Sequence, residues 1–156
     1  MDWSVFVIYL GACCAAAATG SLFPPDKWYF EELRKPSWTP PPWLFPLAWT
    51  TLYIASAYAA ALVAGVQGTA MATAFWALQI ALNTLWSPVF FGLKRLGAAM
   101  VVLSFLWLAV VATAYAFWLA VPLAGWLFVP YIIWVSYAGA LNFWIWRKNE
   151  AVPQEA

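Results

Sequence analysis

Residues 98–119 read AAMVVLSFLWLAVVATAYAFWL, twenty-two residues without a charge, an amide, a Gly or a Pro. Coiled as a helix at about 1.5 Å per residue, such a run extends about 33 Å, enough to cross a hydrocarbon core of about 30 Å. Lipid offers the backbone no hydrogen-bond partner, so a segment of this kind must be helical rather than an open strand. The same pattern occurs four more times, over roughly Trp3–Phe23, Trp43–Ala64, Ala70–Phe91 and Ala124–Trp146. The breaks carry Pro24, Pro25 and Pro40–Pro42, then Gly65 and Gly68, then Gly92 and Gly97, then Pro122 and Gly125, all residues that interrupt helices. The expectation is an all-α membrane protein, one bundle of five transmembrane helices within residues 1–156, with a first loop over 24–42 and a polar tail over 147–156. The first segment follows Asp2 rather than basic residues and is long for a leader, which reads as a membrane span and not a cleaved signal.

Composition agrees. The chain is 66% hydrophobic and 8% charged, with a mean hydropathy of +0.79 and a net charge of +1. That is too little charge to coat a soluble domain and gives no electrostatic reason to bind nucleic acid. The absence of His removes His-ligated haem and Ser-His or Cys-His relays. Cys13 and Cys14 are neighbours without a second pair for zinc and read as small apolar fillers. No carboxylate lies inside an apolar run, so a buried acid/base dyad is excluded. No metal site is expected. The surplus is aromatic, with 13 Trp, 7 Tyr and 11 Phe, more than interfacial belts alone call for.

With five crossings the first loop, the third loop and the C-terminus share a side. That side carries Lys27, Arg34, Lys35, Lys94, Arg95, Arg147 and Lys148, all seven basic residues of the chain. The positive-inside rule then puts the N-terminus outside and the C-terminus in the cytoplasm.

The first loop, PPDKWYFEELRKPSWTPPP, combines six charges with six Pro, two Trp and a Tyr. A short helix over Trp28–Arg34, capped by Asp26 and stopped by Pro36, followed by stiff extended chain, suits a lid over the helix ends. Interfacial anchoring by Trp28, Tyr29 and Trp38 is the competing reading. Within the spans, Gln79, Asn83 and Ser87 form one helical stripe with Trp86 and Phe90 on the same side. Trp134, Ala138 and Leu141 form another beside Asn142, and Trp49, Tyr53 and Ser56 a third. Intramembrane amides must face the bundle interior. They serve either as glue between helices or as handles in an aromatic pocket, and the admixture of Trp and small residues favours the pocket. Trp3, Trp43, Trp118, Trp126, Trp144 and Trp146 fall near span ends and read as interfacial; Trp76 and Trp107 stay unassigned. Gly11, Ala15 and Thr19, and likewise Ala12, Ala16 and Gly20, make weak small-xxx-small faces.

Four blocks, Lys35–Pro41 (KPSWTPP), Phe45–Tyr53 (FPLAWTTLY), Asn83–Gly92 (NTLWSPVFFG) and Val129–Trp134 (VPYIIW) leading to Leu141-Asn142-Phe143, resemble the translocator protein family. This is also called the tryptophan-rich sensory or peripheral benzodiazepine receptor-like family. The blocks stand in family order across nearly the whole chain and look most like the bacterial TspO members. The resemblance implies a five-helix, commonly dimeric membrane protein that binds tetrapyrroles such as protoporphyrin IX and other hydrophobic ligands. It implies a pocket under the first loop lined by Tyr29, Trp38, Trp49, Asn83, Trp86, Phe90, Trp134, Ala138 and Leu141. Light-dependent porphyrin degradation in some members is attributed to two tryptophans matching Trp49 and Trp134. The family's sterol pattern would span Leu141–Arg147, but Phe143 stands where it has Tyr, so sterol binding is not expected.

The function expected is a tetrapyrrole-binding sensor or regulator that needs no cofactor, with porphyrin as its ligand. A light-dependent porphyrin-degrading enzyme and a transporter are the alternatives; five spans do not divide into equal inverted halves, which disfavours transport. The expected location is a bacterial cell membrane, and an outer membrane has also been assigned within the family.

Overall fold

The computed structural model describes residues 1–150, and positions 151–156 of the tail expected over 147–156 lie outside them. Among the described residues there is no strand, and five helical spans are long and apolar enough to cross a membrane. Helix α1 is Trp3–Leu22, α2 Leu44–Ala64, α3 Ala70–Ser87, α4 Leu96–Ala120, α5 Pro122–Trp126 and α6 Val129–Asn149. The short α5 and the long α6 together make the fifth span, entered two residues before the expected Ala124. The last helix runs to Asn149, so Arg147 and Lys148 form its final turn rather than a tail. Cations there complement the helix C-terminus.

Local chemistry explains the ends. The Asp2 carboxylate accepts the Ser4 N–H at 2.8 Å, capping α1, as Asp does at helix starts. At the end of α3, Pro88 has no N–H to return to the preceding turn. The chain widens instead into a π-turn over Pro88–Gly92, closed by the Leu93 N–H on the Pro88 carbonyl at 2.8 Å. Such turns cluster at functional positions, and this one presents Phe90 inward, 2% exposed. The first loop holds a similar π-turn over Trp28–Glu32, where the Asp26 carboxylate accepts the Tyr29 N–H at 3.3 Å. Helix was expected as far as Arg34. It stops at Glu32, and Leu33 is already extended, with φ −75° and ψ 131°.

Around the bundle α1 sits between α2 and α3, α4 packs on α3 and α6, and α5 with the start of α6 closes the ring against α2. The outward faces are as apolar as the core: Ile8, Val101, Phe105, Leu108 and Ile133 are exposed, as helices in lipid require. Every buried polar side chain among the described residues is uncharged: Ser56, Gln79, Asn83, Thr113, Asn142 and Asn149. Two apolar clusters fill the interior. One runs through all six helices; the other, around Tyr29, Leu33, Phe90, Leu96 and Ile145, joins the loop to the helix ends. Between them is a space that the side chains do not fill.

Candidate functional site

That space is a cavity of about 580 Å³ under the first loop, within the ~300–1,000 Å³ typical of small-molecule sites. Helix α2 supplies Phe45, Trp49, Thr50 and Tyr53 to its wall; α3 and its π-turn supply Asn83, Trp86, Phe90 and Phe91. Helix α6 gives Trp134, Ala138, Leu141 and Asn142, α4 gives Leu103 and Leu106, and α1 the small residues Ala16, Ala17, Gly20 and Ser21. The loop roofs it with Tyr29, Phe30, Lys35, Thr39 and prolines. The contributions of α3, α4 and α6 are largely buried, whereas Ala17, Ser21, Phe30, Pro46 and Thr50 are exposed. The mouth therefore lies on the α1–α2 side, beneath the loop.

Of the nine residues expected at the pocket, Tyr29, Trp49, Asn83, Trp86, Phe90, Trp134, Ala138 and Leu141 line the cavity. Trp38 does not. It turns outward, 43% exposed, against the Tyr137 ring at 5.6 Å, and its carbonyl accepts the Tyr137 hydroxyl. The aromatic wall is ordered: Trp86 stacks on Phe90 with centroids 4.8 Å apart, Trp49 stacks on Tyr53 at 5.6 Å, and Trp49 meets Trp134 edge to face at 6.5 Å.

The floor is a chain of hydrogen bonds. Tyr53 Oη donates to Asn83 Oδ1 at 2.7 Å, Asn83 Nδ2 to Tyr131 Oη at 2.8 Å, and Tyr131 Oη to Gln79 Oε1 at 2.8 Å. Beside it, Trp86 Nε1 donates to Asn142 Oδ1 at 3.1 Å, and Asn142 Nδ2 to the Leu96 carbonyl at 3.1 Å. Trp134 Nε1 is buried without a partner, an open donor on a cavity-lining ring. Gln79 and Ser56, in register with cavity residues, do not reach the cavity; Ser56 accepts Trp76 Nε1 at 2.9 Å. The unassigned Trp107 bonds Ser136 at 2.8 Å, joining α4 to α6. Sequence reasoning passed over Phe45 and Tyr131. Both carried a signal, since Phe45 continues the Trp49–Tyr53 stripe and Tyr131 the stripe of Trp134 and Ala138.

Two latches hold the roof. Asn149, 3% exposed, accepts the Arg34 N–H at 2.9 Å and donates to the Arg34 carbonyl at 2.9 Å. At the other end of the loop Lys94, itself in a left-handed conformation at φ 55°, pairs with Asp26 at 3.2 Å and lies over the Trp28 ring. Desolvation raises the Asp26 carboxyl pKa, but hydrogen bonds from Lys94 and the Tyr29 N–H, with the Lys94 charge, together outweigh it and hold the group below its ordinary value. Burial raises the Tyr29 phenol and lowers the Lys35 ammonium.

Comparison with known proteins places this arrangement. The family model described as the TspO/MBR family matches residues 5–147. The chain is 53% identical over 153 residues to "Protein CrtK" of Rhodobacter capsulatus, covering 96% of this chain and 95% of that protein. It is 51% identical over 154 residues to the "Tryptophan-rich sensory protein" of Cereibacter sphaeroides, covering 99% and 97%. It is 38% identical over 128 residues to the human "Translocator protein", covering 79% and 75%. With five apolar spans and these matches along nearly its full length, the chain is an integral membrane protein and belongs to the TspO/MBR family.

Proposed function

We propose that this protein is a membrane sensor or regulator that binds a tetrapyrrole such as protoporphyrin IX in the cavity beneath the first loop. The observation that carries the reading is the wall itself: Trp49, Trp86 and Trp134 on three different helices around one apolar cavity of about 580 Å³. Flat conjugated ligands gain from offset and edge-to-face contacts with such rings. Asn83 brings an amide into this wall, and the Trp134 ring on the same wall carries a buried N–H without a partner. With no His in the chain there is no imidazole axial ligand for iron, which favours metal-free porphyrin over haem. The ligand is cargo or signal, and no cofactor is required.

The test is quenching of tryptophan fluorescence by protoporphyrin IX in the dark, beside a Trp49→Phe/Trp134→Phe double variant. Saturable quenching at micromolar concentration or below, weakened in the variant, supports a specific aromatic site. Linear quenching indifferent to the variant means partition into detergent and ends the proposal.

A second reading, light-dependent porphyrin degradation, draws on the contact between Trp49 and Trp134, two oxidisable indoles in the same wall. Illumination of the same samples separates the two: bleaching that persists in the double variant removes these residues from any photochemistry. For the assembly, the exposed Gly11 and Ala15 on α1 suit a close helix contact in a homodimer. All seven basic residues sit at the loop end of the bundle, which supports a cytoplasm-facing roof and C-terminus with the N-terminus outside, in a bacterial cell membrane.

A further inference from the structure

Among the described residues, the cavity lining includes a single cation, Lys35, and no carboxylate. Its ammonium lies 4.7 Å from the Tyr29 ring centroid, donates to the Tyr29 carbonyl, and donates to the Phe30 carbonyl at 3.3 Å. An ammonium has three N–H donors, so one remains. Among the described residues the ion pairs are Lys94–Asp26 and Arg147–Glu150; Lys35 has no acidic partner. The other cations near the roof are committed or turned away: Lys94 pairs with Asp26 and lies over Trp28, while Lys27, Arg34, whose backbone Asn149 clamps, and Arg95 are exposed at the surface. Placing an unpaired charge beside an apolar space is unfavourable unless something of opposite sign joins it.

The geometry points to Lys35 as the residue that selects ligands bearing a carboxylate, making the cavity a site for amphipathic acids. The flat apolar body lies among Trp49, Trp86 and Trp134, and the acid group lies under the roof, where Lys35 Nζ meets it. This rests on the tetrapyrrole reading above and narrows it, since the acid side chains of the porphyrin become a recognition element rather than a solvated edge. A rival role for Lys35 is purely structural: it bonds the Tyr29 and Phe30 carbonyls of the π-turn, as Lys does near helix ends.

Binding of protoporphyrin IX and of its dimethyl ester, which has the same ring without the charge, separates these roles. Each ligand is measured with the wild type, Lys35→Met and Lys35→Arg, and the variant-to-wild-type ratio is taken for each so that partition into detergent cancels. Lys35→Met is expected to weaken the diacid about 10- to 150-fold, the range of a hydrogen bond to a charged group, and the ester by less than twofold. Lys35→Arg should restore most of the acid affinity. Equal weakening of both ligands overturns the proposal and leaves Lys35 as a cap of the loop turn. No effect on either overturns it as well. Absence of saturable binding of both ligands to the wild type overturns the tetrapyrrole function itself, a result distinct from a failure of Lys35 alone.

Discussion

Replacing Asn149 with Ala should unlatch the roof of the cavity without touching its walls. The Asn149 side chain forms both an accepting and a donating bond with the backbone of Arg34, 115 positions earlier in the chain, in the manner of a strand pairing with a strand. Each such bond contributes about 0.5–1.5 kcal/mol net. Losing both shifts the closed–open balance of the loop by about 1–3 kcal/mol, or roughly 5- to 150-fold. The bundle below does not depend on them, so the helices should stay folded. Hydrogen exchange at the Arg34 amide reads the shift directly, and ligand dissociation should quicken by a comparable factor. Unchanged exchange at Arg34, with the helical amides also unchanged, would refute the idea that this one side chain holds the loop down.

Three more outcomes follow from the same structure. The Asp26–Lys94 latch is half-exposed, so Asp26→Asn should raise loop exchange by no more than about fivefold, the upper end for a surface pair. Because the folded carboxyl lies below its ordinary pKa of about 3.9, the contribution of this latch is complete above that value and fades as the pH falls through the folded pKa. A pH profile flat from about 5 to 8, loosening below about 4 and also in high salt, checks this. Tyr131→Phe leaves Asn83 Nδ2 and Gln79 Oε1 without their partner. It should lower stability in detergent by about 1–3 kcal/mol, and an unchanged thermal midpoint would argue against the bonded chain. Gly125→Ala would put a methyl 2.4 Å from Trp118 Cβ and 2.7 Å from its Cα, which side-chain rotation does not relieve. Expect a loss of about 1–3 kcal/mol or more, measured by thermal unfolding, whereas Gly97→Ala meets only the Trp146 indole at 3.1 Å and should be milder.

The spans were legible in the chain alone, because length, apolarity and freedom from charge are local properties that a bilayer tests one segment at a time. So was the common end of the basic residues, which follows from counting crossings. Most of the cavity wall was legible too: a helix sets residues three and four apart on one face, so Trp49, Asn83, Trp86, Trp134 and Ala138 could be drawn together before any packing was known. How the helix faces met depended on packing. Gln79 and Ser56 share those stripes, yet Tyr131 and Trp76 reach them first and turn them into glue between helices. Periodicity assigns a face but not the partner across from it. In the loop there is no period at all, and the packing of its Pro-rich chain on α6 decided that Trp38 turns out while Lys35 turns in. The clamp of Asn149 on Arg34 joins the two ends of the sequence, and a contact of that range leaves no mark on either neighbourhood because it exists only once the bundle has closed.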